Sequence, residues 1–431
     1  MTAQDQRISP AVAGWTLFLL TLANVLNAGD RMLLGVVTEP VRHDLALSDT
    51  QMSLANGLLF VLFNLIGGVF IARLADRGNR VRILVVGIAG WSIATAATGL
   101  AHNFAVLALA RVGVGVGEAT AFPAAMSLIP DLFRPQVRGR AVAVFQSSSF
   151  IGIVGGTVLA GVLAAWLGWR AMFLVCGLAG VVLATVVVVT VSEPAREEAA
   201  EQDGFGARWL TGLKAGLRRV GNASGFVALA IGFGISVMMV SVLGAWGPAF
   251  LQRLHGVPLQ QVGIVIGPAV GIGGLAGTLL SGALADRLVR HRGSLAAMLR
   301  VPLVTLPLST PFMAGFVFAP TLFQTMACAA AMNFLLSCSF VPCVNYAVAR
   351  ADPGDRALAS AVMLASSGLI GGALGPFIVG SLSDALTPQL GAQGLRYALS
   401  AMLASPLLAT VFLLAAFRQA PTTSAAQAHP A

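Results

Sequence analysis

The stretch ARLADRGNR (72–80) returns as GALADRLVR (282–290). In both places an aspartate and trailing arginines stand at the polar end of a long apolar segment. Two further arginines, Arg138 and Arg356, each open a later apolar segment, and the offsets of both pairs are roughly 210–220 residues. A membrane span takes roughly 20 apolar residues, so a period of that size holds about six spans with their turns. The chain is read as two parallel halves. That repeat is a transporter architecture, with the substrate site between the halves near mid-membrane.

Composition agrees. The chain has 431 residues, 57% hydrophobic and only 10% charged, where a soluble domain is about 25% charged. A soluble fold would need an oily surface. The formal charge of +9 is nearly all arginine, with Lys214 as the single lysine. The charge lies in short loops, which makes it a topology signal and not a nucleic-acid footprint.

Breaks at charge clusters and Gly/Pro turns give about 12 segments. The first six lie near 14–37, 50–74, 82–101, 104–132, 139–165 and 169–191; the second six lie near 223–251, 258–284, 295–317, 320–348, 357–383 and 394–417. The expected fold is an all-α membrane protein of twelve transmembrane helices in two six-helix pseudo-repeats. The halves span residues 1–191 and 223–418, joined by a cytoplasmic linker, 192–222, and followed by a disordered cytoplasmic tail, 419–431. With the N-terminus cytoplasmic, roughly 20 Lys/Arg fall on that side and about 4 outside, which places both termini inside.

Four ionisable residues interrupt the apolar segments. Asp30 and Arg31 lie in the first, Arg111 and Glu118 in the fourth. Charge in hydrocarbon is costly unless paired or hydrated, so such residues are functional candidates by default. Asp30 and Arg111 each fall about 10 Å below the outer ends of their segments, a shared level at which they would form a gate pair if the two segments pack together, which spacing alone does not imply. Glu118 lies two turns from Arg111 on the same face. Arg31 points elsewhere, because successive helix residues are about 100° apart.

An acid can load and release a proton: burial disfavours its charged form and a guanidinium favours it, whereas arginine stays charged. Asp30 and Glu118 are therefore the expected proton-coupling groups. Arg111, with Arg31, is the expected counter-ion or ligand for an anionic headgroup. The competing reading of Asp30–Arg111 is a static pair that fixes helix packing. The second half has no deep charge. Asn27, Asn333, Ser337 and Trp246 are read as cavity lining, against the alternative that such residues only pack.

The repeated loop and LARVGVGVGEA (109–119) resemble the major facilitator superfamily. LNAGDRMLLGVVTEPVRHDLALSDTQ (26–51) and WGPAFLQRLHGV (246–257) are similar to its bacterial Spinster-type branch. The resemblance implies a lysophospholipid or sphingolipid-like cargo, proton coupling and a bacterial inner (cytoplasmic) membrane location. It implies a contact between the first and fourth segments. It also implies a cytoplasmic gate at Asp76, Arg77 and Arg80, matched by Asp286 and Arg287, with Arg138 and Arg356. The alternative reading of that gate is plain topology signal. Drug antiporters of the superfamily carry Gly-Pro in the fifth segment. Here that segment reads FIGIVGGTVLAG (150–161), and Gly375–Pro376 lies in the eleventh.

The expected partners are an amphipathic lipid-like or small organic substrate, protons and the bilayer. No nucleic acid is expected, and the protein is taken as a monomer. No nucleophile–base pair or metal-ligand cluster is visible, so no enzyme, cofactor or metal is expected. The segment-four glycines lack the Lys-Ser/Thr of a nucleotide-binding loop. Multidrug or small organic-anion transport is the alternative within the fold. A non-transporting receptor or scaffold is the alternative outside it. The linker stretch 207–220 reads either as an amphipathic surface helix or as a solvated connector.

Overall fold

The computed structural model describes residues 9–194 and 207–420, with the side chains of Ala72, Arg73, Ala75, Asp76, Arg77 and residues 207–210 left aside. Part of the linker and residues 421–431 of the expected disordered tail lie outside the described residues. The described residues are helical, with no strand among them.

Eleven continuous helical stretches are long and apolar enough to cross a membrane. One of them, Pro135–Thr190, contains two spans, because Gly168 at φ 81°, ψ 157° interrupts the helical backbone. That conformation is essentially glycine-only. The expected twelve spans are thus recovered. We number them α1 (Pro10–Val36), α2 (Asp49–Ile71), α3 (Arg80–Gly99), α4 (Phe104–Leu132), α5 and α6 (135–167 and 169–190), α7 (Phe226–His255), α8 (Leu259–Arg292), α9 (Leu295–Phe318), α10 (Leu322–Arg350), α11 (Pro353–Leu390) and α12 (Gln393–Arg418).

Local chemistry starts several of them. The Ser9 hydroxyl accepts from the Val12 N–H ahead of Pro10 at the first turn of α1. Ser48 and Gln51 form a reciprocal capping box at α2. Asn79, Asn103 and Thr321 cap α3, α4 and α10. Each cap supplies an acceptor to an N–H that has no partner within the helix.

Backbone packing divides the chain into two units. The first is Met1–Ala199 with Val257–Gly267; the second is Ala200–Gly256 with Pro268–Ala431. The opening turns of α8 therefore belong with the first unit, where a Cβ at Gly161 would sit 2.9 Å from the Leu259 carbonyl oxygen.

Within the first unit α1 lies against α5. A Cβ on Gly29 would sit 3.3 Å from the Gly152 carbonyl oxygen and 3.4 Å from Gly156 Cα. Small residues allow this approach, which membrane helices use because lipid offers no hydrophobic drive for association. Asn24 then bonds α5 three times, to the Phe145 carbonyl (3.0 Å), Ser148 Oγ (2.8 Å) and Ser149 Oγ (2.9 Å). Together these contacts fix which face of α1 meets its other neighbours.

Two helices lose their regular α hydrogen bonding at corresponding points of the repeat, with the backbone still in the right-handed helical region. The helical run of α4 ends at Glu118 and resumes at Ala121. That of α10 ends at Ser337 and resumes at Phe340. Each break frees backbone groups inside the fold. Thr120 Oγ1 donates to the Gly117 carbonyl at 2.8 Å, and Ser236 of α7 bonds Ser339 at 2.9 Å.

Candidate substrate and coupling site

The four deep charges gather in the first unit around α1, α3 and α4. Arg31 Nε donates to Glu118 Oε2 at 2.7 Å; the Arg31 side chain is 42% exposed and that of Glu118 fully buried. Asn27 Nδ2 donates to the Glu118 backbone carbonyl at 3.4 Å, so both ends of Glu118 are held from α1. One turn of α1 further, Asp30 Oδ2 accepts from the Thr95 hydroxyl of α3 at 2.6 Å.

This arrangement corrects one expectation. Arg31 does not point away: it is the partner of Glu118. Among the described residues Asp30 is held by Thr95, with no ion pair to Arg111. Sequence spacing gives the angle between residues 30 and 31. It does not give the rotation of α1 about its own axis, which its contacts with α5 set.

Arg111 is fully buried, and its Nε and both Nη atoms have no hydrogen-bond partner; Asp30 Oδ1 and Glu118 Oε1 are likewise unpartnered. Leaving a buried polar group unpaired costs about 1–3 kcal/mol, and more for a charge. Phe60 of α2 offers partial compensation. The guanidinium carbon of Arg111 lies 5.2 Å from its ring centroid and that of Arg31 5.5 Å, within cation–π range. Gly115 lets α2 come close, and Asn64 donates to the Gly115 carbonyl at 3.0 Å. Phe60 was missed by sequence reading, since one phenylalanine in an apolar segment carries no distinguishing signal.

The other predicted lining residues are engaged in packing. Asn333 is buried and donates to the carbonyls of Ala269 (3.1 Å) and Val270 (2.8 Å) on α8. Trp246 is buried on α7, and its indole N–H donates to the Pro376 carbonyl at 3.1 Å. That carbonyl follows the π-helical stretch Ser367–Leu374 in α11. Ser337 is half-buried on α10 near Gly277.

Of the gate residues, the side chains of Asp76 and Arg77 lie outside the described residues. Arg80 is only 2% exposed. It bonds Glu193 Oε1 at 2.6 Å, the carbonyls of Ser127 (3.0 Å) and Pro194 (3.3 Å), and the Asp131 carboxylate. Glu193, which sequence reading left in the linker, also accepts from the Val81 N–H at 2.9 Å. Arg138 donates to the Pro130 carbonyl at 2.9 Å. Asp286, Arg287 and Arg356 are exposed. In their half the tight pair is Arg219–Asp355, bidentate at 2.7 and 2.8 Å.

Comparison with known proteins follows the same lines. The family model of the Major Facilitator Superfamily matches residues 20–313. An MFS-type efflux pump of Mycolicibacterium smegmatis is 34% identical over 94% of this chain and 92% of its own length. Human protein spinster homolog 1 is 28% identical over 88% of this chain and 74% of its own. The crystal structure of a bacterial homolog to the human lysosomal transporter Spinster, in an inward-facing and unoccupied conformation, superposes with a TM-score of 0.86. It is 27% identical and covers 96% of this chain and 98% of its own.

Proposed function

The chain belongs to the Major Facilitator Superfamily as a transporter of the Spinster type, and from that premise we propose that it moves a lysophospholipid- or sphingolipid-like amphipathic anion by proton-coupled alternating access. The observation that carries this reading is Arg111: a guanidinium buried in a membrane helix with all three nitrogens unpartnered. A phosphate or carboxylate headgroup matches that fork in charge and geometry. It would give the guanidinium the hydrogen-bond partners it lacks.

Proton coupling rests on the two acids. Glu118 is fully buried but bonded to a partly exposed arginine. Asp30 is bonded to a neutral hydroxyl. A conformational change that separates Glu118 from Arg31 removes the guanidinium that favours its charged form, and the carboxyl takes up a proton. Restoring the pair releases it. Arg111 meanwhile alternates between anionic substrate and nearby carboxylate. The bacterial inner membrane, with both termini cytoplasmic, is the setting we assign, on the arginine bias of the loops.

The test is uptake of a radiolabelled lysophospholipid into proteoliposomes, with and without an imposed pH gradient. Gradient-stimulated lipid movement, lost in both Asp30→Asn and Glu118→Gln, is the expected result. Stimulation that survives in both variants would refute the coupling assignment. A second reading, efflux of drugs or small organic anions, is favoured by the 34% identical relative named as an efflux pump. Drug or organic-anion flux without lipid movement in the same vesicles would select it.

A further inference from the structure

The linker segment folds as a helix, Ala207–Asn222, that the proposed transport does not use. Its sequence, ARWLTGLKAGLRRVGN, holds four bases and no acid. Residues four apart share a helix face, so the side chains from Thr211 onward fall into rows. Gly216 and Val220 form a buried row; Leu213 and Leu217 lie beside it, and Lys214 and Arg218 beyond them.

The buried row docks the helix on the second unit. A Cβ at Gly216 would sit 2.7 Å from Leu358 Cδ2, and Val220 is buried. Arg219 is already spent on Asp355, at the start of α11. At the turn into α7, Arg350 donates to the Ser224 carbonyl at 2.7 Å, and the Ser224 hydroxyl donates to the Gln419 carbonyl at 2.9 Å. These bonds tie the helix to the first residues of α7 and α11 and to the last of α10 and α12. Four spans end at that level, which makes it the membrane surface.

The two outer rows remain exposed. Leu217 is 42% exposed, Leu213 is half-buried, and Lys214 and Arg218 are exposed. Ala215 and Asn222, both exposed, occupy the side away from the leucines. An apolar row flanked by bases is the pattern of a helix that lies in the headgroup region. With no acid on the helix to neutralise them, the bases complement a negative lipid surface. We propose that this face binds anionic phospholipid of the adjoining leaflet, with Lys214 and Arg218 on the headgroup phosphates and Leu213 and Leu217 at the acyl boundary. The site lies outside the transport path and its test involves no transport, so either assignment can fail alone.

The experiment uses the full chain carrying Cys176→Ala, Cys328→Ala, Cys338→Ala and Cys343→Ala, with a bimane label on either Leu217→Cys or Ala215→Cys, in nanodiscs. Phosphatidylglycerol and phosphatidylcholine with brominated chains quench from the lipid, and acrylamide quenches from water. The label at 217 should be quenched by brominated lipid and the label at 215 by acrylamide. Each base near an anionic surface raises binding about fivefold, so phosphatidylglycerol should be preferred at 217 over phosphatidylcholine by about 30-fold. That preference should vanish in Lys214→Gln/Arg218→Gln and weaken with added salt, at an unchanged melting temperature. Acrylamide quenching at 217 equal to that at 215 would overturn the proposal, because the face would then lie in water. So would a label at 217 reached by neither quencher, which would mean that protein covers it. Equal quenching by the two lipids, or a preference that survives the double variant, would also overturn it. The depth comparison of 217 with 215 keeps both bases and decides even if the double variant does not fold.

Discussion

At the residue scale, the Arg31–Glu118 pair is asymmetric, with one partner half in solvent and the other fully buried. Removing the exposed partner strands the buried one. Arg31→Ala should therefore destabilise the purified protein by about 1–2 kcal/mol, less than the 3–5 kcal/mol of a wholly buried pair because part of Arg31 is already hydrated. The combined variant Arg31→Ala/Glu118→Gln should recover most of that loss, since it leaves no buried charge without a partner. Thermal melting in detergent measures both. Arg80 is the opposite case: the base is buried and its partners are partly exposed. Arg80→Ala should cost roughly 2–4 kcal/mol and free the segment after α6 from α3, which hydrogen exchange at the Val81 amide would report.

At the element scale, Gly168 decides whether Pro135–Thr190 is one helix or two spans. Its φ of 81° carries a penalty for any L side chain. Gly168→Ala should lower stability by about 1–3 kcal/mol, although a Cβ there would meet no neighbouring atom. A melt unchanged within error would show that the turn can relax.

The same scale shows why parts of the fold were legible and others not. Span number, the two-half repeat and the four deep charges are properties of composition and period, which sequence carries directly. The interruptions of α4 at Ala119–Thr120 and of α10 at Cys338–Ser339 were not foreseen. The marker lies one turn further on: Pro123 and Pro342 stand four residues after Ala119 and Cys338 and lack the N–H those carbonyls would accept from. Asn333 and Trp246 were read as lining because polar and aromatic atoms in apolar helices look like ligand contacts. Their bonds to backbone carbonyls of α8 and α11 depend on neighbours that spacing does not supply.

At the scale of the whole molecule, the described deep charge belongs to the first unit, while Ser236, Ser339 and Asn333 within the spans of the second unit make neutral hydrogen bonds, Ser236–Ser339 and Asn333–Val270. Coupling variants in the first unit should therefore remove gradient dependence, and conservative changes in the second should alter substrate preference. The topology is checked separately. Lys214 and His43 are both exposed, and the arginine bias puts them on opposite sides of the membrane. In a background without the native cysteines, Lys214→Cys should react with an impermeant maleimide only after permeabilisation, and His43→Cys in intact cells. The reversed pattern would invert the assigned orientation.

The crossing of α1 and α5 at Gly29, Gly152 and Gly156 has a mechanical consequence. Two helices whose backbones touch have no cushion of side chains to shear, so α1 and α5 travel as one stiff beam. Asp30 is bolted to that beam one residue past Gly29. When the first unit rocks, the acid cannot ride up or down independently. Its environment changes only if α3, with Thr95, or α4, with Arg111 and Glu118, moves past it. On the proposed coupling, the missing side chains at Gly29, Gly152 and Gly156 would make the acid the fixed post and the arginine of α4 the moving arm.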